Sequence, residues 1–303
     1  MNTRCEPGKP VLLVVLVIYR QAISESTSFG SLRNALLERP ELTHCLRLLV
    51  YDNSLSAQAI PAVNVALEYV HNPNNGGLLA AYREGLARGL EDQIPWIMLL
   101  DQDTEFSADF LDELVSLATS HLSQEQVAAI VPGLRCGNRS ISPARMRFGR
   151  SPIVIEGFSG IAQFKIRALN SGSTFRTSFL QELKEVNPQF WLDFVDFLLF
   201  EELNLRGYKV FVCSSVLQHG LSAIDPDRLM PTARYQNVRF SESLFMDLYR
   251  GPVERFLYDV SLLREYFRQR STFSNRDIPR ITLKTLIRRL ASTRKRRIVQ
   301  SQA

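Results

Sequence analysis

Three apolar runs of strand length constrain this chain more than anything else in it. Val11–Tyr19, Leu46–Tyr51 and Trp96–Leu100 are nearly continuous in hydrophobic residues, as strands covered on both faces are. Helix-length segments lie between them. One runs near Phe29–Glu38 and is ended by Pro40. Another follows Gly77, where Leu78, Tyr82, Leu86 and Leu90 recur every four residues. Val65–Val70 is a shorter strand, Ser107 caps a helix running to about Ser120, and Val127–Val131 is a further strand. This alternation predicts an α/β fold: a mixed, mostly parallel sheet flanked by helices.

Ligands of such sheets bind beyond the carboxyl ends of the strands. Three polar clusters fall there: Asp52-Asn53-Ser54, the loop from Asn72 to Gly77, and Asp101-Gln102-Asp103. One pocket can therefore collect all three. Asp101 and Asp103, two positions apart on extended backbone, point to one side and can share a hard divalent cation. A cation so held can grip a diphosphate. Asp52 can accept a hydrogen bond from a base N–H or a ribose hydroxyl, or it can cap a turn. Gly76 and Gly77 let backbone approach a ligand, and the helix they open favours an anion. Neither standard nucleotide-binding fingerprint is present. Arg83, on that helix, faces either a phosphate or solvent.

After Pro132 the pattern changes. Ile153–Ile155 and Ile161–Ile166 read as antiparallel strands, and Ser171-Gly172-Ser173 precedes a short helix over about Phe175–Leu183. Leu192–Leu205 reads as a mostly buried helix closed by Gly207, and Lys209–Cys213 as a strand leading to His219. In Trp191-Leu192-Asp193-Phe194-Val195-Asp196 two acids sit in an apolar setting. Burial raises a carboxylate pKa, and Asp196 fits the removal of a proton from a hydroxyl. The competing reading is that Asp193 or Asp196 caps the following helix. His219 is either a further metal ligand or a structural imidazole.

The chain has 303 residues, with 36 Lys and Arg against 31 Asp and Glu. The excess gathers near the end, in Lys284, Arg288, Arg289, Arg294, Lys295, Arg296 and Arg297. That segment suits either anionic lipid headgroups or a solvated tail. No recognition motif supports nucleic acid as a partner. No apolar stretch reaches the ~18 residues that a membrane span requires. Four scattered cysteines and four scattered histidines predict reduced thiols in a cytosolic protein and argue against a zinc cage.

The ordered set of motifs resembles glycosyltransferase family 2, and within it the bacterial rhamnosyltransferase-like branch. The matching residues are Val14–Tyr19, Tyr51-Asp52-Asn53-Ser54, Asn72-Pro73-Asn74-Asn75-Gly76-Gly77, Trp96–Leu100 with Asp101-Gln102-Asp103, Ser171-Gly172-Ser173, Phe190–Asp196, and Gly207-Tyr208-Lys209 with His219. The resemblance implies a GT-A (Rossmann-like) domain over residues 10–222 and a helical, basic C-terminal region over 223–303. It implies inverting transfer of a sugar, for that branch rhamnose from dTDP-rhamnose, to a glycan or lipid-linked glycan in surface polysaccharide synthesis. Mg²⁺ or Mn²⁺ would be the cofactor, and the setting would be cytoplasmic, with peripheral contact at the membrane. By the same resemblance Asp196 is the base, and Asp103 with His219 holds the metal. Tyr19, Asp52, Asn53, Asn74, Gly76, Gly77, Arg83, Asp101 and Gln102 surround the donor. Ser171, Gly172, Ser173, Trp191 and Asp193 line the sugar or acceptor site. Two alternatives use the same fold: a nucleotide-sugar-binding protein without transferase activity, and a sugar nucleotidyltransferase. The latter expects a Gly-rich basic loop after the first strand, and Ile18-Tyr19-Arg20-Gln21 has none.

Overall fold

The computed structural model describes residues 5, 8–147, 150–183, 186–220, 227 and 230–300, with 150, 151 and 292–300 by backbone alone. The chain divides into two compact units, Met1–Gly220 and Leu221–Ala303. The boundary expected at 222–223 lies outside the described residues.

The first unit opens with the predicted alternation. β1 (Leu12–Ile18), α1 (Thr27–Glu38), β2 (Leu46–Asp52), β3 (Ala66–His71), α2 (Gly77–Glu91), β4 (Trp96–Asp101), β5 (Thr104–Glu105), α3 (Ala108–Ser120) and β6 (Val127–Cys136) follow one another. Then come β7 (Arg139–Ser142), β8 (Ala144–Arg147), β9 (Arg150–Val154), β10 (Gly160–Ile161), β11 (Ile166–Arg167), β12 (Thr174–Arg176), α4 (Thr177–Glu182), α5 (Val195–Leu205) and β13 (Lys209–His219). The main sheet has the order β10-β13-β6-β12-β4-β1-β2-β3, and β11-β8-β9 form a small second sheet. β3, β2, β1 and β4 run parallel, as do β6 and β13; β12 is antiparallel between β4 and β6.

Every residue of β1 is buried. Its alternate side chains serve two cores. Leu12, Val14, Leu16 and Ile18 pack with Phe29 and Leu32 of α1 and with Phe110 and Leu114 of α3. Leu13, Val15 and Val17 pack with Ala81 and Tyr82 of α2 and with Leu199 and Phe200 of α5. Burial on both faces explains the unbroken apolar runs.

The structure corrects several sequence expectations. Phe175 lies in a strand, because its backbone fills the gap between β4 and β6, and its ring is 5.3 Å from that of Phe200. The helix expected from Leu192 starts at Val195. Cys5 and Cys45 form a disulfide, with Cα atoms 5.5 Å apart, so the expectation of four reduced thiols fails for this pair.

The second unit holds α6 (Thr232–Tyr249), α7 (Pro252–Thr272) and α8 (Asp277–Gln300). Its interior is polar as well as apolar. Arg239 donates to Glu242 at 2.6 Å and Glu265 at 2.5 Å, and Tyr258 donates to Glu242 at 2.8 Å. Arg289 is 6 % exposed and bonds Asp259, Asp247 and Ser243. It therefore belongs to the interior and not to a solvated basic tail. The side chains of Arg294, Lys295, Arg296 and Arg297 lie outside the described residues. No helix among the described residues is long and apolar enough to cross a membrane.

Candidate active site

Strand register brings the polar clusters to one edge. His71 of β3 lies opposite Asp52 of β2, Asp52 opposite Ile18 of β1, and Val17 of β1 opposite Asp101 of β4. The chain order reverses direction between β1 and β4, the place where a doubly wound sheet opens a crevice.

The turn after β4 is fixed from four directions. The Gln102 side chain accepts from the Tyr19 backbone N–H at 2.8 Å, tying the end of β1 to this turn. Ser28 donates to the Asp101 carbonyl and accepts from the Thr104 N–H at 2.8 Å. Ser171 accepts from the Asp101 N–H at 3.1 Å and shares a hydrogen bond with Thr104. Thr104 Oγ1 lies 2.8 Å from His219 Nδ1. The same imidazole nitrogen is 3.3 Å from Asp103 Oδ1, and Asp103 is half exposed. Asp103 and His219, 116 positions apart in sequence, thus stand side by side through the antiparallel pairing of β5 with β13. A Cβ on Gly220 would meet Asp103 Oδ2 at 2.7 Å, so a larger residue here would turn the carboxylate from this position.

Asp196 sits in the first turn of α5 and is 9 % exposed. Burial raises its pKa to about 7; the Phe197 N–H and Arg167 oppose the rise, and Asp101 and Asp193 add to it. Asp101 is thus within electrostatic reach, which places Asp196 over the same edge. For Asp196 the competing capping role falls away. The N-cap is Phe194, at φ 69°, and Asp196 Oδ1 accepts only from its own neighbour Phe197 at 2.8 Å. A bulky residue in the left-handed region marks local strain beside the acid. Tyr82 is also buried; burial, Asp101 and Asp196 push its pKa well up, against a hydrogen bond with Asn170 that lowers it.

Other expected contacts are built differently. Asp52 is wholly buried, with Oδ1 accepting from Ser54 N at 2.8 Å and Oδ2 from the Tyr69 hydroxyl at 2.7 Å and Gln58 at 3.1 Å. It ties the loop, and no face is left for a nucleoside. Its neighbour Asn53 has a buried Oδ1 without a partner among the described residues, while its amide donates to the Gly77 carbonyl at 3.3 Å. Ser171 and Ser173 are fully buried, and a Cβ on Gly172 would meet Leu217 and Pro132 at 2.9 Å. This triplet supports the rim from beneath and does not line a sugar site. At Gly77 the close approach is to protein: φ is +72°, and a Cβ would lie 2.2 Å from the Trp191 carbonyl. That carbonyl accepts from Leu79 N at 3.0 Å, so part of the helix start is already used. Asn74 is exposed, and its N–H bonds Asn72 Oδ1 at 3.1 Å. Arg83 donates to the Val186 carbonyl at 3.1 Å. With Tyr51, Gly76 and Trp191 it borders an open cavity of about 460 Å³. The structure thus joins Gly76, Arg83 and Trp191 in one hollow, and Asp101, Asp103 and His219 at the neighbouring strand end.

Sequence reasoning missed Glu113. Burial raises its pKa, but hydrogen bonds from Ser215 and Ser214 outweigh this and leave it lowered. These bonds clamp the irregular register of β13 between Val212 and Val216, on the strand that ends at His219. A lone acid on an amphipathic helix gives no signal of such a role.

The half-exposed carboxylate of Asp103 suits a divalent cation whose other positions are filled by phosphate oxygens and water, while the His219 Nδ1 that faces it is bonded to Thr104. No group of three or more His, Cys, Asp or Glu side chains gathers among the described residues. A cation held by Asp103 would therefore draw most of its ligands from substrate and water.

Residues 48–156 match the family model described as Glycosyl transferase family 2. No curated protein matches the sequence. Among solved structures, the mannosyltransferase PcManGT from Pyrobaculum calidifontis, in complex with GDP-Man and Mn²⁺, is similar at 12 % identity and a TM-score of 0.54, over 93 % of this chain and 87 % of that one. S. aureus TarS 1–349 matches at 13 % identity and a TM-score of 0.47, over 82 % and 78 %; its complex with UDP-GlcNAc also matches at 13 % and 0.47, over 86 % and 73 %. The fold is GT-A, and residues 48–156 carry the likeness to family 2 within it.

Proposed function

We propose that the protein is an inverting glycosyltransferase that moves a sugar from a nucleoside-diphosphate donor to a hydroxyl of a glycan acceptor. The observation that carries this reading is Asp196: a buried carboxylate with a pKa of about 7, within electrostatic reach of Asp101, at the edge where Asp103 and His219 stand together. A carboxylate so tuned can accept the acceptor's proton near neutral pH, whereas an ordinary aspartate is a weaker base.

Asp52 ties the loop on which Asn53 bonds the Gly77 carbonyl beside this edge. Arg83 and Gly76 border the hollow in which the donor's anionic part can rest. A divalent cation, Mg²⁺ or Mn²⁺, held by Asp103 beside His219 would offset charge on the departing diphosphate. Thr104 keeps the imidazole aimed. Asp196 then holds the proton of the attacking hydroxyl while the sugar's anomeric centre inverts in one displacement. The donor sugar we favour, on the likeness of the motifs to the rhamnosyltransferase-like branch, is rhamnose carried by dTDP. The acceptor is a lipid-linked glycan, which would place the protein on the cytoplasmic face of the membrane.

Thermal shift with a panel of nucleoside diphosphates and nucleotide sugars, with and without Mn²⁺, tests the reading, because a ligand of the native state raises its melting point. A shift that requires Mn²⁺ and is lost in Asp103→Ala is expected. Equal shifts in wild type and variant would overturn the cation assignment. A donor that binds but is never transferred or hydrolysed would leave a binding protein.

A further inference from the structure

Helix α7 carries a second apolar stripe opposite the one it buries. Tyr258, Leu262 and Gln269 face the interior of the helical unit. Val253, Phe256, Val260, Leu263 and Phe267 recur at alternating steps of three and four, which places them on one line along the other side. Phe256 is 65 % exposed and Phe267 59 %, and Val253 and Leu263 are also exposed. Exposed arginines flank the line, Arg264 and Arg268 on one side and Arg270 on the other. A stripe containing two aromatic rings in the open is not ordinary surface composition.

Two occupants suit such a line, and charge with area decides between them. Residues 221–303 hold 17 Lys and Arg against 8 Asp and Glu. A second copy would bring a like-charged unit against the first. The stripe also offers on the order of 400 Å², about half of the ~800 Å² per partner of a standard interface. An anionic lipid surface has the complementary charge, and its hydrocarbon boundary receives a narrow row of Phe, Leu and Val while arginines stay with the headgroups. We propose that α7 lies along an anionic bilayer surface, with Phe256 and Phe267 inserted at the headgroup boundary and Arg264, Arg268 and Arg270 on phosphates. The contact is thereby assigned to the outer face of α7 and not to the basic C-terminal run. It does not depend on the transfer reaction.

Co-sedimentation of the full chain with vesicles tests it. Vesicles of equal parts phosphatidylcholine and phosphatidylglycerol are expected to bind the protein, and phosphatidylcholine alone to bind it poorly. Phe256→Ser/Phe267→Ser is expected to weaken partition by at least about tenfold, and Phe256→Leu/Phe267→Leu to keep most of it. Both positions are exposed, so an unchanged melting point is expected; Val253→Ser/Leu263→Ser on the same line is the second variant should the first melt early. Binding that survives both serine pairs in folded protein would overturn the assignment. So would a wild type that ignores the vesicles, above all one that elutes as a dimer and becomes monomeric in the serine pair, which would give the stripe to a second copy.

Discussion

Buried charge means different things in the two units. In the helical unit Arg239 is enclosed by Glu242 and Glu265, and Arg289 by Asp259 and Asp247, each partner within hydrogen-bond distance. At the sheet edge Asp196 is equally enclosed, yet no basic group among the described residues comes within ion-pair distance of it. Arg167 acts on it only from farther away, and Asp101 and Asp193 work against it. A buried ion with its counter-ion holds a structure together. A buried carboxylate held without one is kept ready to take a proton.

The largest test of that contrast is Asp196→Asn. Transfer should fall by roughly 10²–10⁴-fold, the usual contribution of a positioned base, with the melting point unchanged or higher. Near-normal turnover would remove the base from the site. Arg239→Ala should do the reverse. Removing one partner strands two carboxylates in the interior, which typically costs about 3–5 kcal/mol, so denaturant unfolding should shift to lower midpoint. A change under about 1 kcal/mol would mean that the network is solvated and the comparison false.

The pH dependence sharpens the same point. The folded pKa of Asp196 lies at about 7, above the 3.8 of an ordinary aspartate. The folded chain therefore holds this proton more tightly than the unfolded chain. The resulting stabilisation is fully present below pH 3.8 and is lost progressively as pH rises through 7. Over that window the stability difference between wild type and Asp196→Asn should move against the wild type, and transfer should rise along a limb centred near pH 7. A flat difference would show that the carboxyl titrates as an exposed group does. The smallest expected effect is that of Gly77→Ala. A positive φ and the Trp191 carbonyl at 2.2 Å together should cost roughly 1–3 kcal/mol. They should also loosen donor binding by displacing Trp191 and the hollow it borders. A fully stable variant with unchanged affinity would show that the loop gives way freely.

The amino-acid sequence by itself determined the alternation of strands and helices, because strands buried on both faces must be apolar throughout and helices between them must be amphipathic. It also placed the polar clusters at strand ends, and it singled out Asp196 because an acid amid Phe and Val is conspicuous in one dimension. Only the tertiary structure decided which polar groups are spent and which are available. Asp52 spends its oxygens on Ser54, Tyr69 and Gln58, and Ser171 its hydroxyl on Thr104 and the Asp101 N–H, while Asp196 receives only the Phe197 N–H among the described residues. Hydrogen-bond satisfaction depends on partners that arrive from dozens of positions away: Tyr69 and Gln58 for Asp52, Thr104 for His219, Glu113 for the bend of β13. Phe175 became a strand residue for the same reason, since the open slot between β4 and β6 outweighed its local preference. Periodicity is a local property and can be read along the chain, whereas the saturation of a polar group is a property of the space around it.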